Sequence, residues 1–162
     1  MMVSTFAEDG ADEVLKCEGG LEISIFYRPY LFEFLEDMKS RFELIIYSSL
    51  NRQALVPIIQ KLEEHKKFFQ YVFDETFCIF ANISYGVKCV DFLLSNRRVE
   101  DIILVDTSAK SLPLSQDNFV PVPRYDGNKE ETELIRLATV LGALEKENDI
   151  REAIKKLRKN VF

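Results

Sequence analysis

Residues 42–49 read Phe42-Glu43-Leu44-Ile45-Ile46-Tyr47-Ser48-Ser49, and residues 101–108 read Asp101-Ile102-Ile103-Leu104-Val105-Asp106-Thr107-Ser108. Each is a short apolar run that gives way to hydroxyl or acid side chains. An uninterrupted apolar run of this length marks a strand covered on both faces, which is the habit of parallel sheets flanked by helices. In such open sheets ligands settle beyond the carboxyl ends of the strands. Ser48, Ser49, Asp106 and Thr107 therefore stand where a site is expected.

The segments around these two runs fit the same architecture. Val14-Leu15, the turn Glu18-Gly19-Gly20 and the alternating Leu21-Glu22-Ile23-Ser24-Ile25-Phe26 predict a hairpin. Pro29 opens a helix with Leu31, Phe34, Leu35 and Met38 on one face, closing near Ser40. A second helix is predicted over 51–69, with Leu55, Ile58, Ile59 and Leu62 inward, and Ser48 and Ser49 double as candidate caps for it. Val90–Leu94 predicts a short helix and Phe119-Val120-Pro121-Val122 an edge strand, because its prolines cannot donate to a ladder. Helical periods return over 130–144 and 149–161. Strands alternating with helices predict an α/β fold: a three-layer sandwich with a mostly parallel central sheet and helices on both faces.

Composition bounds the function. The 162 residues suit one compact core, and 47% hydrophobic residues with 13 Phe place the chain among globular proteins. A net charge of −6 offers no general attraction to nucleic acid or anionic lipid. Cys17, Cys78 and Cys89 have no CxxC spacing, and their odd number fits free thiols in a reducing compartment. No apolar run reaches the ~18 residues needed to span a bilayer. The acidic start (Glu8, Asp9, Asp12, Glu13) is unlike a secretory or mitochondrial presequence. A cytoplasmic or nuclear site is expected ahead of a mitochondrial one, with no nucleic-acid partner and no membrane span.

The stretch Phe73-Asp74-Glu75-Thr76-Phe77 imitates the aspartate loop of a phosphoryl-transfer enzyme, but aspartyl-phosphate chemistry wants two acids two residues apart, usually with magnesium. The position two before Asp74 is Val72. One carboxylate stands where two are needed.

The order of the remaining pieces resembles a known family. Arg28-Pro29-Tyr30-Leu31-Phe32-Glu33-Phe34-Leu35, then 42–49, Cys78-Ile79-Phe80, Gly86-Val87-Lys88, Ile103 to Ser108, Asp117-Asn118-Phe119-Val120-Pro121-Val122 and Glu131-Thr132-Glu133-Leu134 are similar to consecutive blocks of the CTD-phosphatase-like group of the haloacid dehalogenase superfamily. The group includes small phosphatases of the RNA polymerase II C-terminal domain, nuclear envelope phosphatases and a mitochondrial inner-membrane translocase receptor. The resemblance implies a haloacid dehalogenase-like domain over 21–162, preceded by a degenerate strand and hairpin region over 1–20. In active members such a domain removes phosphate from phosphoserine or phosphothreonine through an aspartyl-phosphate.

Within that frame Asp74 falls outside the nucleophile strand, and the family's DxDx(T/V) loop belongs upstream of Arg28. Asp9 and Asp12 are three apart there and follow no strand. If Met1–Ala7 is a degenerate central strand, Ser4 and Phe6 occupy the places of the two acids. Thr107 stands where active members carry an asparagine that helps hold magnesium. Retained are the parts that would bind phosphate: Ser48 and Ser49, Lys88 as charge partner, and Asp106 to orient that lysine. The expectation is a pseudophosphatase with no catalytic residues, no metal ligands and no cofactor, binding a protein or phosphoprotein. The alternatives are an active phosphoserine/phosphothreonine phosphatase using magnesium, and a translocase-receptor-like scaffold.

Overall fold

In the computed structural model the residues described are 2–4, 9–20, 22–79 and 86–161, with side chains left aside at 2–4, 18 and 159–161. They form two compact units: residues 1–76 with 124–135, and residues 77–123 with 136–162.

In the first unit the predicted hairpin is present. Strand β2 (Glu13–Lys16) pairs antiparallel with β3 (Glu22–Phe26), and Gly19 and Gly20 carry the positive φ of 77° and 82° that turns the chain between them. Strand β1 (Met2–Ser4) pairs antiparallel with the other edge of β3, so the sheet order is β1-β3-β2. Met2–Ser4 therefore does not form the degenerate central parallel strand that the family frame offers for Met1–Ala7. A central nucleophile strand would run parallel to its neighbours, whereas Met2–Ser4 is an edge of a small antiparallel sheet. Ser4 pairs with Ser24 and thus does not stand in for an acid on a parallel strand. Phe6 and the remainder of 5–8 lie outside the described residues.

Helix α1 (Leu31–Arg41) begins two residues after Pro29 and buries Leu35 and Met38. Strand β4 (Ile45–Tyr47) follows and pairs in parallel with β5 (Tyr71–Phe73). The strand is shorter than the apolar run because Phe42 is taken as the end cap of α1, its N–H donating to Met38 O at 2.8 Å. Helix α2 (Arg52–Leu62) is capped by Asn51, whose side chain accepts from Ala54 N at 2.9 Å. It stops well before Phe69. The run Glu63-Glu64-His65-Lys66-Lys67 has no apolar residue to continue the buried stripe, and a Glu63 carboxylate oxygen collects the N–H groups of Phe68 and Phe69 instead, at 2.8 and 2.7 Å. Ile23, Ile25, Leu35, Ala54, Leu55, Ile58, Ile59, Leu62, Phe68 and Phe69 form the core of this unit.

Tyr30, just before α1, has φ 63° and ψ 19° and is the only described non-glycine residue with positive φ. A left-handed backbone costs an L-residue with a Cβ roughly 1–2 kcal/mol, less for asparagine. The ring is 47% exposed, so little packing offsets that cost. Tyr30→Asn is expected to raise unfolding stability by about 1 kcal/mol, read as a higher denaturant midpoint at constant slope. A fall in midpoint would show that contacts of the ring outweigh the strain.

In the second unit β6 (Leu104–Asp106) pairs in parallel with β7 (Phe119–Pro121). The expected strand over 101–106 is trimmed because Val99–Asp101 forms a 3-10 turn. Coverage on both faces is also not found: Val105 is 42% exposed. The short helix predicted over 90–94 is present as a 3-10 helix, Val90–Asn96. Helix α3 (Glu133–Leu144) passes from the first unit into the second at Arg136, and α4 (Ile150–Val161) packs on the turns Gln116–Asn118 and Val99–Asp101. Among the described residues no helix is long and apolar enough to cross a membrane.

Candidate functional site

The two ends of the predicted site fall in different units. Ser48 and Ser49 follow β4 in the first; Lys88, Asp106 and Thr107 belong to the second.

Ser48 extends the β4–β5 ladder, its N–H donating to Phe73 O at 2.9 Å, while its hydroxyl accepts from Leu50 N at 3.1 Å. The hydroxyl thus forms a local turn ahead of α2, and the cap itself is Asn51. Ser49 is exposed.

The second-unit residues form a defined constellation. Asp106 ends β6, and its Oδ2 accepts from Lys88 Nζ at 2.6 Å, with the two side chains 13% and 16% exposed. Its Oδ1 accepts from Ser108 N at 3.0 Å, the Asx turn that an Asp-X-Ser sequence favours. Lys88 is fixed at the main chain as well, its N–H donating to Ser111 O at 2.7 Å. Ser111 is held in turn through its hydroxyl, which donates to Ser108 O at 2.8 Å. Behind the strand, Asn118 is 2% exposed and its amide donates to Val99 O and Ile102 O, both at 2.7 Å, fixing the chain where it enters β6. Thr107 is exposed beside the pair. Ser108, Ser111 and Asn118 were not singled out from sequence. The Asp-X-Ser spacing could have signalled the first, whereas nothing local signals the others.

Magnesium prefers near-octahedral oxygen coordination with free carboxylate lone pairs. At the end of β6 one carboxylate is present, neutralised by the Lys88 ammonium, and Thr107 offers only a hydroxyl, far short of the six oxygens the ion takes. This donor set does not fit the ion. Among the described residues no group of three or more His, Cys, Asp or Glu side chains could hold a metal.

Asp74 is accounted for by local structure. It is 6% exposed, and its Oδ1 accepts the N–H and hydroxyl of Thr76, at 3.0 and 2.5 Å, opening the 3-10 turn Glu75–Phe77. The Thr76 hydroxyl holds the Asp74 carboxyl below its ordinary range.

Parallel strands ending in a hydroxyl turn and an oriented Asp–Lys pair define an α/β domain of the phosphatase-like, haloacid dehalogenase type. The fold likeness is direct: a fission yeast RNA polymerase II CTD phosphatase, Fcp1, solved with beryllium fluoride, superposes at a TM-score of 0.56 and 17% identity, over 97% of this chain and 44% of that one. The chain belongs to the NLI interacting factor-like phosphatase family, whose profile matches residues 2–151. Curated relatives include nuclear envelope morphology protein 1 of Schizosaccharomyces pombe, 28% identical over 80% of this chain and 27% of that protein. Mitochondrial import inner membrane translocase subunit TIM50 of Caenorhabditis briggsae is 30% identical over 70% of this chain and 24% of that one. Human CTD small phosphatase-like protein is 27% identical over 84% and 48%. The chain thus spans between about a quarter and a half of these relatives' lengths.

Proposed function

We propose that residues 1–162 form a phosphatase-like domain that binds a partner protein phosphorylated on serine or threonine and does not turn it over. The observation that carries this reading is the Lys88–Asp106 pair, kept half-buried at the end of β6 in a sequence that contains no Asp-X-Asp. An aspartyl-phosphate route needs a nucleophile and an acid two residues apart. An oriented ammonium with two N–H groups beyond the one given to Asp106 serves phosphate binding, which without a positioned nucleophile is recognition rather than turnover. Thr107, exposed in the same unit, is proposed as a supporting hydroxyl. Binding also suits relatives of the translocase-receptor kind, so a scaffold role lies in the same class. Cytoplasm or nucleus is the proposed location.

A second reading is an active magnesium-dependent phosphoserine/phosphothreonine phosphatase whose two acids come from outside residues 1–162. It is favoured by β6, whose ladder among the described residues is to β7 alone and whose Val105 is 42% exposed, leaving an edge that a further strand could cover.

Incubation of the natively purified protein, together with any chain that copurifies with it, with magnesium and an aryl phosphate separates the two. No turnover above the uncatalysed rate is expected, together with phosphopeptide binding that Lys88→Ala weakens about tenfold or more, the worth of a hydrogen bond to a charged group. Turnover abolished by Asp106→Asn would overturn the binding reading in favour of the second. Absence of phosphopeptide binding in the parent protein would overturn the phosphate role of Lys88.

A further inference from the structure

We infer that the cleft between β7, α3 and α4 in the second unit docks a partner protein through a segment that carries one aliphatic side chain flanked by carboxylates. The inference stands apart from the phosphate reading, since none of the residues lining the cleft belongs to the Lys88–Asp106 constellation.

The cleft is built by helical spacing against a strand. Ile154, Leu157 and Arg158 recur at i, i+3 and i+4 on α4 and so share one face of that helix. Phe119 and Val120 of β7 and Ile154 are buried, whereas Val140 of α3 and Leu157 are only half-buried, so both helices still present apolar surface to solvent here. The cleft has room of about 20 Å³, enough for one methyl group or one water. That size excludes a nucleotide or a cofactor and suits the tip of one leucine or isoleucine. A water held there meets mostly apolar walls, and its displacement by a methyl group is favourable. One methyl group anchors too little of a free small molecule to offset its lost motion, so the side chain is one borne by a protein.

Charge names what flanks that side chain. Arg158 lines the cleft and is half-buried; its Nη2 donates to the carbonyls of Gln116 and Phe119, and its Cζ lies 5.6 Å from the centre of the Phe119 ring. Neither the carbonyls nor the ring neutralises the guanidinium. Among the described residues no carboxylate pairs with it, and its Nε and Nη1 donate to none of them. The acids nearest in the fold are engaged elsewhere: Lys155 lies 3.6 Å from Asp117 and 3.1 Å from Glu152. Lys156 adds an exposed cation on the same helix. A half-buried cation without a counter-charge favours a carboxylate brought by the ligand. A basic segment is repelled by Arg158, and a wholly apolar one leaves it uncompensated.

The test titrates three capped peptides against the full chain, Glu-Glu-Leu-Glu-Glu, Glu-Glu-Gly-Glu-Glu and Lys-Lys-Leu-Lys-Lys, and reads the methyl NMR signals of Val140, Ile154 and Leu157. The acidic leucine peptide is expected to shift all three signals and to bind about tenfold more tightly than either of the others. Val140→Ile fills the cleft with one further methyl group, and Arg158→Gln removes the charge while its amide can still donate to a carbonyl. Each is expected to weaken the acidic leucine peptide about tenfold. Should Arg158→Gln fail to fold, Val140→Ile still decides. Equal binding of the leucine and glycine peptides would show that the cleft reads no side chain, and equal binding of the acidic and basic leucine peptides that Arg158 reads no charge; either overturns the inference. Shifts at Val87 and Val90 instead would seat the peptide beside Lys88 and overturn it too. Shifts of the same three signals on raising the protein concentration alone would put a second copy of this chain in the cleft in place of the acidic partner. No shift with any peptide would overturn the inference as well.

Discussion

Glu131→Ala is expected to destabilise the first unit by about 3–5 kcal/mol, a large share of the 5–15 kcal/mol typical of a whole domain. Arg28 is only 4% exposed and Glu131 19%. The guanidinium bonds both carboxylate oxygens, Nη2 to Oε2 at 3.0 Å and Nε to Oε1, and its Cζ lies 5.4 Å from the centre of the Tyr125 ring. Arg28 stands just before Pro29 and α1, and Glu131 just before α3, so the fork joins two helix starts 103 residues apart in sequence. Deleting the carboxylate leaves an ion in the interior with no counter-charge, and the cost is mostly that stranded ion. The double change Arg28→Met with Glu131→Leu is therefore expected to recover most of the loss, because it removes both desolvated charges. Tyr125→Phe serves as the control. The Tyr125 hydroxyl is buried without a hydrogen-bond partner, so its removal should leave stability unchanged or slightly higher. Urea midpoints at constant slope measure all three. A loss below about 1 kcal/mol for Glu131→Ala would mean that the pair behaves as a solvated surface bridge.

The contrast between this pair and the β strands shows what was legible in sequence. The runs at 42–47 and 101–106 announced strands because a continuous apolar stretch is a local signal, and both strands are parallel as expected. Their bounds were not legible, since Phe42 could equally finish α1 and Asp101 could equally finish a 3-10 turn. The cap of α2 went to Asn51 rather than to Ser48 or Ser49 because the amide oxygen reaches Ala54 N, whereas the Ser48 hydroxyl is spent on Leu50 N. Lys88 and Asp106 were found together only through the order of family blocks. They are 18 residues apart, and no periodicity relates them. Arg28 and Glu131 both lay in recognised blocks, yet their pairing escaped notice, because a long-range ion pair leaves no trace in hydrophobic pattern.

Deleting residues 149–162 is expected to abolish cooperative unfolding of the second unit. Ile150, Ile154, Leu157 and Val161 recur at helical spacing ahead of a basic end, a pattern that suits either a helix packed on the domain or one that docks on an acidic partner or membrane. The structure places α4 against the turns Gln116–Asn118 and Val99–Asp101, with Ile150 and Ile154 only 4% and 1% exposed. Arg158, near the basic end, donates to the carbonyls of Gln116 and Phe119, the latter at 2.6 Å, and Lys155 lies 3.6 Å from Asp117. The basic face is thus partly turned toward the unit. Fully burying an aliphatic side chain stabilises by roughly 1.5–3 kcal/mol, so Ile150 and Ile154 together account for on the order of 3–6 kcal/mol, with a smaller share from the half-buried Leu157. Little remains for a unit of this size once that is removed. Arg151, bridging Asp149 at 2.8 Å and Glu100 at 3.1 Å, anchors the start of the helix to the turn it packs on. The same anchor gives a milder, pH-driven version of the deletion. The Arg151 guanidinium holds the Asp149 carboxyl down at about 2, below its ordinary 3.8. A depressed folded-state value means that the contribution is fully present above about pH 4 and is lost as pH falls toward 2. Asp149→Asn should therefore lower the melting temperature at neutral pH and flatten its decline between pH 4 and 2. Calorimetry of the deletion variant decides the larger claim: an unchanged transition, combined with lost binding to an acidic protein or to anionic vesicles, would make α4 a recognition element instead of part of the core.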